Sequence, residues 1–471
     1  MAADVHKRSF AEKAFIALFL PLVTLMYLAY KYPNIFVEDP YDLYLLGKSV
    51  GFWYNFAYTF IVCYICASVV IKNTSPYKKG GKEKALSPYQ RKKFISIFFV
   101  QFVLFFLLPY IIPGLKNKNG FFDDRIMIHA EQNNSSFKEG DAVYQIAKNY
   151  KRDSSGAYEV IDVTVDSFII QAVDKDLFGH AERRVLDATL FSFQAGDKLS
   201  DNGYLYSASD TSGLKVGKVH KSEGDKFSIL VDPTLNKNAY VYVYNGFTSS
   251  GGFIYIFLLI PLSVWFFGKR YCSWFCACGN LAETVGITKW GGLWVRHHTP
   301  RGETSRKLEV VQYFFLVWAF VFGMILFLDT WKLFTVGNMA TAMRVYQDIV
   351  MDLIFGALIG VGAYPFFGTR IWCRYGCPLA AGMRIFGKYS KSNFQVVASN
   401  KCSGIGECSK ACPMGINVED YAHKDKKPIN GSFSLDETTC VGCGGCIDIC
   451  PVNALEFKPL GSASTEEVVT K

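Results

Sequence analysis

The sequence predicts an α-helical polytopic membrane protein of about six spans, with an inserted extracytoplasmic β-rich domain and a C-terminal α+β domain organised by cysteines. Three observations predict this class. Of six apolar stretches read as spans, several approach the ~20 residues that a bilayer-spanning helix needs, the fourth being short. Between the third and fourth lies a long polar segment of β-prone runs. Finally, twelve of the fourteen cysteines fall after position 271, most in tight groups with metal-ligand spacing.

The apolar stretches cover 14–30, 52–71, 94–112, 253–267, 308–328 and 349–367. With half of its 471 residues hydrophobic and 16% aromatic, the chain is too apolar for a soluble protein of this size. The first stretch resembles a secretory signal, but it lacks a small-residue cleavage site and further spans follow, so it is expected to remain as an anchor. The formal net charge of +9 does not point to nucleic acid, because the basic residues flank apolar stretches and form neither a patch nor an arm. They set orientation instead. The loop after span two holds Lys72, Lys78, Lys79, Lys82, Lys84, Arg91, Lys92 and Lys93 against Glu83, and the loop after span four holds Lys269, Arg270, Lys289, Arg296, Arg301, Arg306 and Lys307. Both loops are expected to be cytoplasmic, which makes both termini cytoplasmic and puts the segment 116–251 on the outer face. The expected divisions are therefore 1–115 (spans one to three), 116–251 (β-rich domain), 252–390 (spans four to six) and 391–471 (cysteine domain).

In the outer segment, strands are expected over 158–165, 167–173, 227–231 and 240–244, between Gly, Asp, Asn and Ser clusters. The segment contains no cysteine, no haem-attachment motif and no glycine-rich phosphate loop. Its histidines, His129, His180 and His220, are scattered, and read as structural or surface residues. In span two, Cys63 and Cys66 read as buried packing residues.

The strongest signal is Cys440-Val-Gly-Cys443-Gly-Gly-Cys446-Ile-Asp-Ile-Cys450-Pro451, the C-x2-C-x2-C-x3-C-P run of bacterial ferredoxins. Three thiolates on one tight loop wrap one cubane, and the cysteine beyond the longer gap ligates the other cluster. Gly442, Gly444 and Gly445 let backbone amides approach the sulfides. A zinc site would want four ligands in two pairs, which this run is not. Upstream lies Cys402-Ser-Gly-Ile405-Gly-Glu-Cys408-Ser-Lys-Ala-Cys412-Pro413, in register with the first run except that Ile405 stands where a cysteine is needed. Exchange of the fourth ligand gives one [4Fe-4S] cluster the full set Cys412, Cys440, Cys443 and Cys446. The second cluster is left with Cys402, Cys408 and Cys450. Three thiolates suit a [3Fe-4S] cluster, the expected form, or a [4Fe-4S] cluster whose fourth iron takes Glu407, Ser403 or water.

Spans four and six end alike: Phe266-Phe267-Gly268-Lys269-Arg270 leads to Cys272 and Cys276, with Cys278 following, and Phe366-Phe367-Gly368-Thr369-Arg370 leads to Cys373 and Cys377. This is a duplicated unit, Phe-Phe-Gly-x-Arg followed by C-x3-C. Both spans run inward, so the five thiols should meet at the cytoplasmic membrane edge as a redox or metal site. A helical C-x3-C would align its sulfurs on one face.

These paired motifs, together with the cysteine runs that follow them, resemble the membrane-bound polyferredoxin family of the NosR, NapH and CcoG type. The resemblance covers roughly 253–451. Cys373, Cys377 and Pro378 match the family's C-x3-C-P fully; the first copy departs, with Ala277 in the proline position and an additional Cys278. A flavin-attachment motif and an immunoglobulin-like C-terminal extension, found in parts of that family, are not expected in this chain. The resemblance implies a bacterial cytoplasmic (inner) membrane protein that passes electrons from quinol or a cytoplasmic donor to a membrane or extracytoplasmic redox enzyme, such as a respiratory reductase or oxidase. It implies no acid-base or nucleophilic catalytic residue. Two alternatives are a copper-reducing or assembly factor, in which the five membrane-edge thiols bind the soft metal or hold a further iron-sulfur centre, and a sensor that reads a signal through the β-rich domain.

Overall fold

The computed structural model describes residues 7–32, 48–77, 84–108, 127–132, 137–175, 181–231, 250–331, 347–390, 394–424 and 427–460, with isolated positions between 35 and 46 and at 333. Four helical segments are long and apolar enough to cross a membrane: Phe10–Ala29, Val50–Lys72, Ser250–Trp274 and Ser305–Leu328. They belong to helices α1 (Phe10–Lys31), α2 (Val50–Lys72), α4 (Ser250–Trp274) and α7 (Gly302–Thr330). Short polar side chains start the first two. Ser9 Oγ accepts from the Glu12 amide at 3.2 Å and Ser49 Oγ from the Phe52 amide at 3.1 Å.

The third and sixth expected spans are less regular. Helix α3 (Pro88–Phe99) is capped by Ser87 and continues as a π-wound stretch, Val100–Leu107; residues 109–112 of the expected span lie outside the described residues. The sixth begins as α8 (Gln347–Ile359), also π-wound, breaks into a turn at 360–363 and resumes as Tyr364–Phe367. Glycines at 356, 360 and 362 loosen this stretch, since each lacks the side chain that favours a regular helix.

An eight-stranded antiparallel sheet separates α3 from α4. Its strands are β1 (Met127–Glu131), β2 (Ala142–Arg152), β3 (Tyr158–Val163), β4 (Ser167–Lys175), β5 (Ala181–Asp187), β6 (Lys198–Ser207), β7 (Leu214–Glu223) and β8 (Lys226–Val231), in the order β1-β8-β7-β2-β6-β3-β4-β5. Three of the expected strands are present; the fourth, 240–244, lies outside the described residues. Two apolar clusters hold the sheet. One gathers Val143, Val219, Phe227 and Ile229, and the other Tyr158, Val160, Ile170 and Leu199. His129 and His220 are exposed, as expected for surface residues, and His180 lies outside the described residues.

After α4 the chain forms α5 (Ala277–Gly286) and α6 (Lys289–His298), and α9 (Pro378–Tyr389) follows the sixth apolar stretch. The C-terminal domain pairs β9 (Phe394–Ala398) with the two-residue strand Ser432–Phe433 on one side and the strand Leu455–Pro459 on the other. It has no separate interior. Val396, Ala398, Met414, Val418 and Phe433 pack in the same apolar core as Ile260, Val264 and Tyr271 of α4. In span two Cys63 and Cys66 are buried, and Cys66 packs with Val62, Phe94 and Ile97, which bears out their packing role. Ile229 is fully buried in the sheet. Ile229→Ala should destabilise it by ~2–5 kcal/mol, read as faster amide hydrogen exchange in β1, β7 and β8.

Candidate functional site

The two C-terminal cysteine loops share one backbone geometry. Gly404 and Gly442 occupy equivalent positions with φ of 66° and 61°, and Gly406 and Gly444 likewise with φ of 72° and 76°. Only glycine adopts these values cheaply, and here they curl each loop so that its cysteines converge. A short helix follows in both cases, Glu407–Lys410 and Gly445–Ile449.

Folding brings Cys412 from the first run together with Cys440, Cys443 and Cys446 from the second, where all four line one small cavity with Val396, Met414 and Phe433. Cys402, Cys408 and Cys450 form a second group. This is the crossed pairing that the spacing predicts. Burial pushes the Cys440 and Cys443 thiols up to about 12, so such thiols ionise only beside a strong positive charge such as that of iron. The donor set fits an iron-sulfur cluster. The corner without a cysteine is open, since Ile405 is 54% exposed whereas its counterpart Cys443 is 8% exposed. Glu407 is committed elsewhere: its carboxylate pairs with the Arg296 guanidinium, and Lys410 Nζ lies 3.3 Å from it.

At the membrane edge, neither C-x3-C motif is a continuous helix. Cys272 sits in the short turn Tyr271–Trp274, while Cys276 is extended (φ −72°, ψ 126°) and starts α5. Cys373 lies in the π-wound turn Trp372–Gly376, and Cys377, also extended (φ −77°, ψ 112°), starts α9. The condition for sulfurs aligned on one helical face, a continuous helix, is therefore not met: each motif straddles a helix break and places its two cysteines in different elements. The preceding glycines, Gly268 (φ 64°) and Gly368 (φ 81°), repeat the same left-handed turn. Cys272, Cys276, Cys278, Cys373 and Cys377 come within electrostatic range of one another, with Cys278 the most exposed. A hydrogen bond from Cys278 draws the Cys276 thiol down to about 7 against the effect of burial, helped by the Gly279 amide and Arg370.

Several side chains that hold this arrangement carry no motif. Lys93 and Lys269, both counted among the loop cations that set orientation, are fully buried. Lys269 Nζ has no hydrogen-bond partner among the described residues and faces Cys272, Cys373 and Cys377. An unpaired buried cation beside three thiols fits an anionic metal-thiolate group, which would neutralise it. Gln312 of α7, also fully buried, donates to the carbonyls of Cys373 at 2.8 Å and Cys377 at 3.2 Å. Among the described residues, no three His, Cys, Asp or Glu side chains converge closely enough for a single metal ion. Sulfurs around one tetrahedral ion lie roughly 3.8 Å apart, whereas a cluster of several irons spreads its ligands more widely.

The C-terminal domain is clamped to the helices by Arg270, whose guanidinium lies 4.3 Å from the Phe394 ring, 5.1 Å from Phe457 and 5.6 Å from Tyr89. The glycines of the second loop leave room for this clamp, because Cβ atoms at 442, 444 and 445 would press on Arg270, Gln90 or Tyr89, and Tyr77 respectively.

Comparison with known proteins agrees with this geometry. A family model described as "4Fe-4S dicluster domain" matches residues 401–455. The chain is 26% identical over 211 residues to an uncharacterized protein of Methanocaldococcus jannaschii, covering 44% of this chain and 80% of that one. Over 201 residues it is 22% identical to the ferredoxin-type protein NapH of Haemophilus influenzae (40% and 62%), and over 160 residues 24% identical to the methylamine utilization ferredoxin-type protein MauN of Methylobacillus flagellatus (31% and 49%). The matched domain and these relatives make the chain similar to the ferredoxin-type proteins of the polyferredoxin family. It spans less than two thirds of the length of NapH and of MauN. No solved structure matches it. The 4Fe-4S domain match supports an iron-sulfur cluster in this chain, which also carries helices long and apolar enough to cross a membrane.

Gln312→Leu should strand the Cys373 carbonyl, worth ~1–3 kcal/mol when left without a partner, and leave the Cys377 carbonyl with the Ala381 amide alone. The expected outcome is faster alkylation of both thiols by a small maleimide in the apo-protein.

Proposed function

We propose that this chain is a membrane-bound electron-transfer protein whose C-terminal clusters exchange electrons with a centre held by the membrane-edge thiols. One observation carries the reading: Cys272 shares a single buried core with Cys412, Cys443 and Cys446, and Cys276, Cys377, Cys402, Cys408 and Cys440 pack against it. Two separate cysteine systems in one dry core suit short-range electron movement, and the reduced state of one supplies the electron that reduces the other.

Cys412, Cys440, Cys443 and Cys446 would hold a [4Fe-4S] cluster, and Cys402, Cys408 and Cys450 the second cluster. When bound, such clusters supply one-electron redox chemistry. The protein's contribution is to exclude water, hold the thiols and surround them with backbone amides and buried cations. The exposed Ile405 and the engagement of Glu407 by Arg296 and Lys410 support a [3Fe-4S] form for the second cluster. The membrane-edge set Cys272, Cys276, Cys278, Cys373 and Cys377 reads as a third redox or metal centre, holding a further iron-sulfur centre or copper.

The topology that accompanies this function has six spans, with the α3 and α8 stretches counted as the irregular third and sixth, in a bacterial cytoplasmic membrane. Both termini and the C-terminal domain would be cytoplasmic and the eight-stranded sheet extracytoplasmic. The divisions fall at 1–115, 116–251, 252–390 and 391–471. Quinol or a cytoplasmic protein would donate, and a respiratory reductase or oxidase would accept; the relatives named ferredoxin-type proteins support that class of partner.

Ile405→Cys should convert the second cluster to a four-iron form. The checks are replacement of a three-iron EPR signal by a four-iron signal and a gain of about one iron per chain. A Cys373→Ser/Cys377→Ser variant should keep its C-terminal clusters in the reduced-minus-oxidised spectrum and lose at least tenfold, roughly, in the rate of electron passage to the acceptor. An unchanged rate would remove the route.

A further inference from the structure

Between the two cysteine systems lies a chain of buried charges. Lys93 (α3), Glu283 (α5) and Arg370 come from three different parts of the membrane domain, and their side chains are 0%, 2% and 0% exposed. Lys93 Nζ donates to Glu283 Oε1 at 2.7 Å and to the Cys443 carbonyl at 2.9 Å. On the other side, Arg370 Nη2 donates to Glu283 Oε2 at 2.7 Å. Its Nη1 donates to the Cys272 carbonyl at 2.8 Å and lies 4.0 Å from Cys373 Sγ. Tyr77 adds a hydroxyl bond to Glu283 Oε1 at 3.2 Å. Hydrogen bonds therefore run unbroken from the loop of Cys443, through Lys93, Glu283 and Arg370, to both membrane-edge motifs.

Such a network is a poor stability device, because burying charges costs several kcal/mol per ion and apolar residues of the same volume often do better. Its composition suits another task. Two cations face one anion, so the network carries a net charge of +1, and each cation sits beside one of the thiol systems with the carboxylate between them. In a low-dielectric interior this charge acts strongly on any centre whose charge changes on reduction.

We propose that Glu283 is a positioning residue that couples the reduction potentials of the two thiol systems, holding Lys93 against the loop of the complete cluster and Arg370 against the membrane-edge cysteines. This rests on the assignment of Cys412, Cys440, Cys443 and Cys446 to a [4Fe-4S] cluster. Added positive charge stabilises the reduced form, which is the more negative one, and so raises the potential. Glu283→Gln changes the network from +1 to +2 and raises the potential at both ends. Lys93→Met takes it from +1 to 0 and lowers the potential chiefly at the Cys443 cluster, whereas Arg370→Gln does so chiefly at the membrane edge.

The test is an EPR-monitored redox titration of the full-length protein in nanodiscs, with iron and sulfide determined on the same samples. Glu283→Gln, at wild-type iron and sulfide content, should increase the reduced-to-oxidised ratio of the four-iron signal at fixed poise by roughly tenfold or more. Lys93→Met should decrease the ratio, and Lys93→Arg, which keeps the charge, should restore it. An unchanged midpoint in Glu283→Gln with full iron content overturns the proposal. If Glu283→Gln does not assemble, the Lys93→Met and Lys93→Arg pair decides, and equal midpoints in these two overturn it. A wild-type protein without a four-iron signal overturns the underlying cluster assignment instead, and the proposal with it.

Discussion

The buried contact of Glu283 with Lys93 and Arg370 is the constraint on which the rest of the site depends. It ties α3, α5 and the end of the sixth apolar stretch to the loop of Cys443, so the helices and the C-terminal domain become one packed body. Burial opposes ionisation of Glu283, yet the two flanking cations outweigh it and hold its carboxyl below the usual range. Removing Glu283 would leave two cations buried without compensation, which is far costlier than the intact network.

Around this contact the chain uses the same device twice. A glycine with positive φ ends each apolar stretch, an arginine follows two residues later, and a C-x3-C motif straddles the start of the next helix. The two arginines have diverged in what they touch. Arg370 turns inward to Glu283, while Arg270 turns outward onto Tyr89, Phe394 and Phe457 and clamps the C-terminal domain. Duplication thus yields one electrostatic anchor and one aromatic anchor from the same local sequence.

The two C-terminal cysteine loops show a similar divergence. Their glycine geometry is nearly identical, which fixes how the cysteines converge, but their surroundings differ. Cys443 is buried beneath Gln90 and Lys93, whose side chains donate to its carbonyl, and its counterpart Ile405 faces outward.

The sequence by itself determined the apolar stretches, the β-prone insertion, the crossed grouping of C-terminal cysteines and the duplicated helix ends. Each of these depends on local periodicity, turn residues or ligand spacing, all written in consecutive positions. It left open whether either C-x3-C is helical, because a helix break after Cys272 and Cys373 depends on how the following helix packs. It also counted Lys93 and Lys269 among loop cations. Nothing local distinguishes a solvated lysine from one buried against a glutamate 190 residues away, and only the tertiary structure decided that Lys93, Glu283 and Arg370 meet between the two thiol systems.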